Sequence, residues 1–389
     1  MSERGHSGRG HDQSVPVPGL QRLAHDDRPA DGGRRRPSVS AVSVTPAWIA
    51  VDWGSSNLRA WAVNGDNAVI AQASSARGML GLAADEFEDV LRVLINDWLP
   101  DDATSPMPVL ICGMAGARQG WQEAAYLPLP TEKTPSRDVL GALSEQLTHV
   151  ATRDSRLAVA IVPGLCQQQP SYDVMRGEET QLAGLVAAQP DYSGAVCLPG
   201  THAKWAHLAS GAITGFSTFM SGELFKLLSQ DSVLKHSVAA GDLSDAAQRD
   251  AYLEGIDTAL AAPERTTAQL FGIRARDLLD TALPEGDARK AILGARLSGL
   301  VLGLELAGAT AELSDHATIT LIGDAVLCQR YQVALEHLGY QVTTAANADM
   351  ILAGLGRIQR ARSAAQASSS DRGSPSARAS SSDRASVSH

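Results

Sequence analysis

Aromatic side chains are scarce, 4% of 389 residues, but a hydrophobic share of 44% still supplies a core for a chain whose length suits about two to three domains. Cysteine is scarcer. Cys112, Cys166, Cys197 and Cys328 are scattered with neither disulfide-like pairing nor metal-ligand spacing, as expected of a protein in a reduced cytoplasm. Long apolar runs are missing too: residues 299–304 are stopped by Glu305, far short of the roughly 18 residues of a membrane span, so no membrane association is expected. The N-terminus mixes Arg, His and Asp without an apolar stretch, and no secretory signal is read there. Lysine is rare, 5 residues against 28 arginines, and none follows a glycine, which excludes a Gly-x-x-x-x-Gly-Lys phosphate loop.

The net charge of -10 is uneven: residues 1–46 carry +2, residues 357–389 carry +4, and the stretch between them therefore holds -16. Such a core is a poor candidate for coating nucleic acid, and no nucleic-acid partner is expected. Residues 1–46 are Gly, Ser, Pro, Arg and His without periodicity, and residues 361–389 are a Ser/Ala/Arg/Asp run. Both are expected to be disordered tails, since neither has the apolar surface to order itself.

Between the tails, short β-branched runs alternate with helical periodicity, the pattern of an α/β protein. Residues 48–51, 58–63 and 68–71 read as an opening meander, and Phe87, Val90, Leu91, Leu94, Ile95 and Trp98 mark an amphipathic helix over 87–98. A buried strand at 109–112 follows, then a strand at 157–162 and a helix at 178–188. The design then restarts about 145 residues on, with strands at 194–198, 204–208 and 213–219, helices at 223–228, 246–260 and 291–311, and a strand at 318–322. The expected division is an N-terminal lobe over 47–193 and a C-terminal lobe over 194–360.

Each half places a glycine and hydroxyls in the turn of its first hairpin. In Asp52-Trp53-Gly54-Ser55-Ser56-Asn57-Leu58-Arg59 the glycine lets the backbone approach a ligand, the Ser55 and Ser56 amides and hydroxyls can surround phosphate oxygens, and Asp52 can hold a Mg²⁺-bound water. In Pro199-Gly200-Thr201-His202-Ala203-Lys204 the parts recur, with a lysine as point charge for a phosphoryl group. Either turn alone is an ordinary hairpin bend. Two at equivalent places point to nucleotide chemistry.

The pair resembles the phosphate-1 and phosphate-2 loops of the sugar kinase, hexokinase and actin superfamily. Residues 48–356 are similar to one member, the 2-dehydro-3-deoxygalactonokinase family. The likeness is carried by the two loops and by Cys112-Gly113-Met114-Ala115-Gly116, Tyr126-Leu127-Pro128-Leu129-Pro130, Val162-Pro163-Gly164-Leu165-Cys166, Met175-Arg176-Gly177-Glu178-Glu179-Thr180-Gln181 and Ser221-Gly222-Glu223-Leu224. It implies a two-lobed, ribonuclease-H-like ATPase fold, each lobe a mixed β-sheet flanked by helices. The implied activity is phosphorylation of the 6-hydroxyl of 2-dehydro-3-deoxy-D-galactonate by ATP with Mg²⁺, in galactonate degradation. The expected partners are ATP and this small sugar acid; a homodimer is left open.

Within that resemblance Asp52 orders the metal through water, and Gly54, Ser55 and Ser56 meet the phosphates together with Gly200, Thr201, His202 and Lys204; Arg59 can approach the phosphates or simply flank its strand. Phosphoryl transfer needs positioning and charge neutralisation, plus a carboxylate to accept the hydroxyl proton. Glu178 and Glu179 are the candidates, with Asp52 competing; in a first helical turn they also serve as macrodipole caps. Arg176 can bind the substrate carboxylate bidentately or pair with Glu179. Gly113, Gly116, Ser221 and Glu223 are candidates for the sugar pocket, or a turn and an N-cap. His202 has no second ligand at zinc spacing. Leu321-Ile322-Gly323-Asp324-Ala325 departs from the small Gly-Gly or Gly-Ser-Ser turn usual near adenine: Asp324 can meet the nucleotide, repel its phosphates, or cap the following helix. Trp53, Trp61 and Trp205 are read as packing residues. A sugar-acid-sensing protein without turnover and a phosphohydrolase of the same superfamily stay open beside the kinase.

Overall fold

In the run from Trp48 to Trp53, successive side chains alternate between two apolar clusters, Trp48 and Ala50 on one side, Ile49, Val51 and Trp53 on the other. A strand covered on both faces is the result. The computed structural model describes residues 46–372 apart from 103 and 131–137, all within one compact unit. Residues 1–45 and 373–389, expected to be tails, lie outside the described residues.

The first sheet opens with β1 (Trp48–Trp53), β2 (Leu58–Val63) and β3 (Val69–Ser75) as an antiparallel meander. After α1 (Phe87–Ile95), β4 (Met107–Gly113) joins β1 in parallel, with Trp53 opposite Gly113. Then come β5 (Tyr126–Pro128), α2 (Val139–Ala142), β6 (Thr148–His149) and β7 (Leu157–Ile161), giving the order β3-β2-β1-β4-β7-β6. The chain adds β8 (Gly164–Gln167) and β9 (Asp173–Met175), which with β5 make a small sheet in the order β5-β8-β9. Strands of three or four residues carry too little alternation to be legible, and this sheet has no counterpart in the sequence reading.

Helix α3 (Glu178–Ala188) leads into the second round: β10 (Gly194–Leu198), β11 (Ala203–Ala209) and β12 (Ala212–Phe219) form the meander. Next are α4 (Ser221–Gln230), α5 (Ala246–Ala261), α6 (Thr266–Leu279), α7 (Asp287–Ala309), β13 (Thr318–Gly323), α8 (Ala325–His337), β14 (Gln341–Ala346) and α9 (Asn347–Arg372). The second sheet runs β12-β11-β10-β13-β14, with β13 parallel to both neighbours. Its first four strands repeat the plan of β3-β2-β1-β4, so the duplication inferred from sequence is present.

Helices α3 and α9 lie in the apolar layer shared by the two sheets, with Leu182, Ala183, Ile351 and Leu355 buried among Leu110 of β4 and Val196 of β10. Their close approach depends on two glycines: a Cβ on Gly184 would run into the Met350 carbonyl, and one on Gly354 into the Thr180 carbonyl. Helix α7 is long and apolar enough to cross a membrane by length and composition, yet 67% of its apolar window is buried inside the protein. It is a core helix. The expected boundary at 360 is corrected, because α9 continues to Arg372. Extending an existing helix needs no new nucleus, and residues 361–367 contain no Pro or Gly to stop it. Trp53, Trp61 and Trp205 are buried packing residues as read, with Trp53 tilted on Phe87 at 4.8 Å between centroids.

Candidate active site

Residues 54–57 join β1 to β2, and their carbonyls are turned onto the segment after β3: Met79 N–H donates to Gly54 O, Leu80 N–H to Ser55 O and Gly78 N–H to Ser56 O at 2.9–3.3 Å. Only glycine fits at 78, where a Cβ would strike the Ser55 carbonyl. The loop between β10 and β11 is backed in the same manner by the start of α4. Glu223 N–H donates to Thr201 O at 2.9 Å, and a Cβ on Gly222 would strike the Gly200 carbonyl. Both bends are thus clamped from behind by a glycine-bearing segment.

Their front sides share one cavity of about 1340 Å³. Gly54, Ser55, Ser56 and Arg59 line it from the first sheet, and Gly200, Thr201 and His202 from the second. Asp52, Gly113, Arg176 and Glu178 also border it, as do Gly323 and Asp324. Glu179, Lys204, Gly116, Ser221 and Glu223 do not border it. Each of these five has a partner that accounts for its position.

Asp52 ends β1 and receives both Nε and Nη2 of Arg59 on Oδ2, at 3.1 and 2.5 Å. The register that sets Asp52 opposite Arg59 makes this pair. Burial raises the Asp52 pKa, and the Arg59 guanidinium opposes that rise. Among the described residues no group of three or more His, Cys, Asp or Glu side chains can cage a metal. A single carboxylate fits Mg²⁺, which keeps several waters and takes its remaining oxygens from phosphates.

At the start of α3 the two glutamates fold back on their own backbone. Glu178 Oε2 accepts Arg176 N–H at 3.0 Å, and Glu179 Oε2 accepts Gly177 N–H at 2.6 Å. Gly177 stands at φ +107°, a conformation that other residues rarely adopt. Glu179 is fully buried and also accepts from the Thr180 hydroxyl at 2.9 Å; burial, then the Glu178 carboxylate, pushes its pKa up to about 7. Glu178 is raised by burial, with the Lys204 ammonium pulling it back down. Lys204 Nζ lies 3.9 Å from Glu178 Oε1 and is itself buried.

Arg176 is 8% exposed, with Nη2 on the Ala124 carbonyl at 2.7 Å and its guanidinium 4.2 Å over the Tyr126 ring. Its Nε and Nη1 are buried without a partner. Gly116 lies beneath it, where a Cβ would come within 2.8 Å of Nη1. Ser221 bonds Glu305, whose buried carboxylate also accepts Trp205 Nε1–H at 2.7 Å and Tyr331 O–H at 2.9 Å. Ser221 therefore braces α4 on α7 and does not border the cavity. Glu223 holds His202 Nε2 at 2.6 Å on the cavity's rim. Asp324 caps α8, accepting from Val326 and Leu327 N–H at 3.0 and 3.2 Å.

The sequence reading missed Gln181 and Asn347. They meet across α3 and α9, with Gln181 Nε2 on Asn347 Oδ1 at 2.6 Å, and both border the cavity. Gln181 stood in a quoted motif, but nothing in the sequence paired it with a residue so far along the chain.

Residues 52–358 match the 2-keto-3-deoxy-galactonokinase family. The chain belongs to that family. A 2-dehydro-3-deoxygalactonokinase of Escherichia coli (strain K12) is 36% identical over 320 residues, 82% of this chain and 99% of that protein. A relative from Rhizobium meliloti (strain 1021) carrying the same enzyme name is 38% identical over 315 residues, 81% of this chain and 97% of its own length. A crystal structure of a Sinorhizobium meliloti protein with that enzyme name superposes with a TM-score of 0.70 at 37% identity, covering 81% of this chain and 96% of the other. Membership makes the chain a carbohydrate kinase with the two-lobed fold of its family. The cavity between the two clamped loops is where such chemistry has room.

Proposed function

We propose that the chain transfers the terminal phosphoryl group of ATP to the 6-hydroxyl of 2-dehydro-3-deoxy-D-galactonate, a step of galactonate degradation. The observation that carries this reading is that Ser55 and Thr201, from separate sheets, border one cavity together with Glu178. A nucleotide tail can then lie between the two loops while the sugar hydroxyl faces the carboxylate. The sugar oxygen forms a bond to phosphorus, the bond from phosphorus to the ADP oxygen breaks, and Glu178 takes the hydroxyl proton. Glu178 is preferred to Glu179 because it faces the cavity, whereas Glu179 is enclosed.

Gly54 to Ser56 and Gly200 to His202 hold phosphates in this reading, and Asp52 holds Mg²⁺ through water, with Arg59 close enough to share the charge. Bound there, Mg²⁺ would neutralise phosphate charge. Arg176 anchors the sugar carboxylate: its two unpartnered buried nitrogens lack the bonds that a buried guanidinium normally keeps, and a carboxylate supplies them. Gly113 lets the sugar approach the backbone where β4 ends. An assay that follows ADP release with and without the sugar acid tests the reading. Turnover that depends on the sugar acid is expected; turnover indifferent to it would make the chain a phosphohydrolase, and none at all a sensor.

A further inference from the structure

Lys204 is the second residue of β11, opposite Leu198 of β10 and Thr218 of β12, so its backbone is fixed by two neighbouring strands. It is 6% exposed and does not border the cavity. Its ammonium reaches Glu178 instead, 3.9 Å from Oε1, while the Glu179 oxygens are taken by the Gly177 amide and the Thr180 hydroxyl. Two adjacent carboxyls therefore meet one buried cation, and the cation stands beside only one of them. Resting on the reading of Glu178 as proton acceptor, we propose that Lys204 is a positioning residue: it places the negative charge on Glu178 rather than Glu179 and holds that carboxylate at the cavity wall, without touching the phosphates.

Neighbouring carboxyls in a poorly solvated site ionise one before the other, and the surrounding charges decide which. Glu178 is faced by Lys204 from β11, by His202 from the loop before it and by Glu179 on its own helix. Glu179 lies toward the Cys112 thiol of β4, beyond which stands Asp52 of β1 paired with Arg59 of β2. The Lys204 ammonium thus favours charge on Glu178, and the Glu178 carboxylate disfavours it on Glu179. The rise of the Glu179 pKa to about 7 runs the same way. The allocation matters because a carboxyl that already holds a proton cannot accept one from the sugar hydroxyl.

The test uses the full chain, ADP release and the pH dependence of kcat/KM for the sugar acid in wild type, Lys204→Met, Lys204→Arg and Glu179→Gln. In Lys204→Met the acid limb should move up by about 1 to 3 pH units, as expected when an opposite charge is removed from beside a carboxylate. Near neutral pH kcat should drop by about 100-fold while KM for ATP stays within about twofold, since the base is lost and the phosphate contacts are not. Lys204→Arg should restore most of both. Glu179→Gln in the wild-type background should leave the limb where it is, because Glu179 already holds its proton over the range in which Glu178 ionises, which keeps the proposal testable if Lys204→Met does not fold. A limb that stays put in Lys204→Met, or one that moves in Glu179→Gln, overturns the proposal, as does a rise of about tenfold in KM for ATP with the limb unmoved, the mark of a phosphate contact. Glu178→Gln separates the two layers: wild-type kcat in that variant would remove the base reading itself, whereas an inactive Glu178→Gln beside an unaffected Lys204→Met would remove only the role of Lys204.

Discussion

Replacing Glu179 by Gln separates the charge of this side chain from its hydrogen bonds. Glutamine can turn its oxygen to the Gly177 amide and its amide group to the Thr180 hydroxyl, reproducing the bonds of the protonated acid without the ability to ionise. The folded wild type keeps its proton up to about pH 7, whereas an unfolded glutamate releases it near 4.5. Between those values the folded state binds more protons, so stability is fully present below about 4.5, falls as pH rises, and levels off above about 7. At about 1.4 kcal/mol per pH unit the whole interval amounts to roughly 3 kcal/mol of lost stability. Glu179→Gln does not pay this, and its advantage over wild type should widen by about 2 to 3 kcal/mol between pH 5 and pH 8. With a urea slope of about 3 kcal/mol per molar, the gap between the two denaturation midpoints widens by roughly 1 M. Other titrating groups are common to both proteins and cancel. A gap that is the same at both pH values would refute the argument that burial holds this carboxyl protonated.

Three further substitutions test neighbouring parts of the site. Gly184→Ala should lower the melting temperature although helix propensity alone favours alanine by about 1 kcal/mol, because the new methyl forces α3 from α9 at an overpacking cost of about 1 to 3 kcal/mol; a higher melting temperature would show that the crossing is not tight. Asp324→Ser keeps an acceptor for the Val326 and Leu327 amides and removes a charge from the cavity, so KM for ATP should fall by roughly fivefold, the equivalent of about 1 kcal/mol of repulsion. A rise instead would mean that Asp324 binds the nucleotide. Arg176→Lys keeps the charge and loses the planar fork, and should raise KM for the sugar acid by about tenfold with KM for ATP unchanged, measured by initial rates; an unchanged sugar-acid KM would leave Arg176 as a brace over Tyr126 alone.

Much of the architecture was legible because the elements that build it are long and regular in pattern. The strands at 48–53 and 194–198 alternate cleanly between two buried faces, and α1 repeats its apolar residues at helical spacing. Helix α9 was not legible: its buried residues Ile351, Leu355 and Ile358 are diluted by Gly354, Gly356 and polar positions. Its partner α3 is apolar almost all round, so periodicity says that it is buried without saying against what. What brings the two together is the absence of side chains at Gly184 and Gly354, and a glycine in a sequence marks a turn as readily as a close crossing.

The site divides along the same line. That Gly54 to Ser56 and Gly200 to His202 border one cavity was legible because each bend is local: its amides and hydroxyls come from consecutive residues, and the hairpin register fixes them. Charge partners are not local. Lys204 reads as a phosphate ligand because it follows the loop, but it pairs with Leu198 in the β10–β11 register, in the last strand pair beside the bend rather than in the bend itself. There the strand's alternation turns its side chain inward, toward a helix that the chain reached 26 positions earlier, and Glu178 is what it finds. Ser221 went astray for the same reason: a serine at a helix start suggests a cap or a pocket contact, and only the packing of α4 on α7 reveals Glu305 as its partner. Backbone-borne chemistry can thus be read from adjacent residues, whereas the ionisation state of Glu178 is set by which strand face happens to lie against α3, and that is decided by the sheet as a whole.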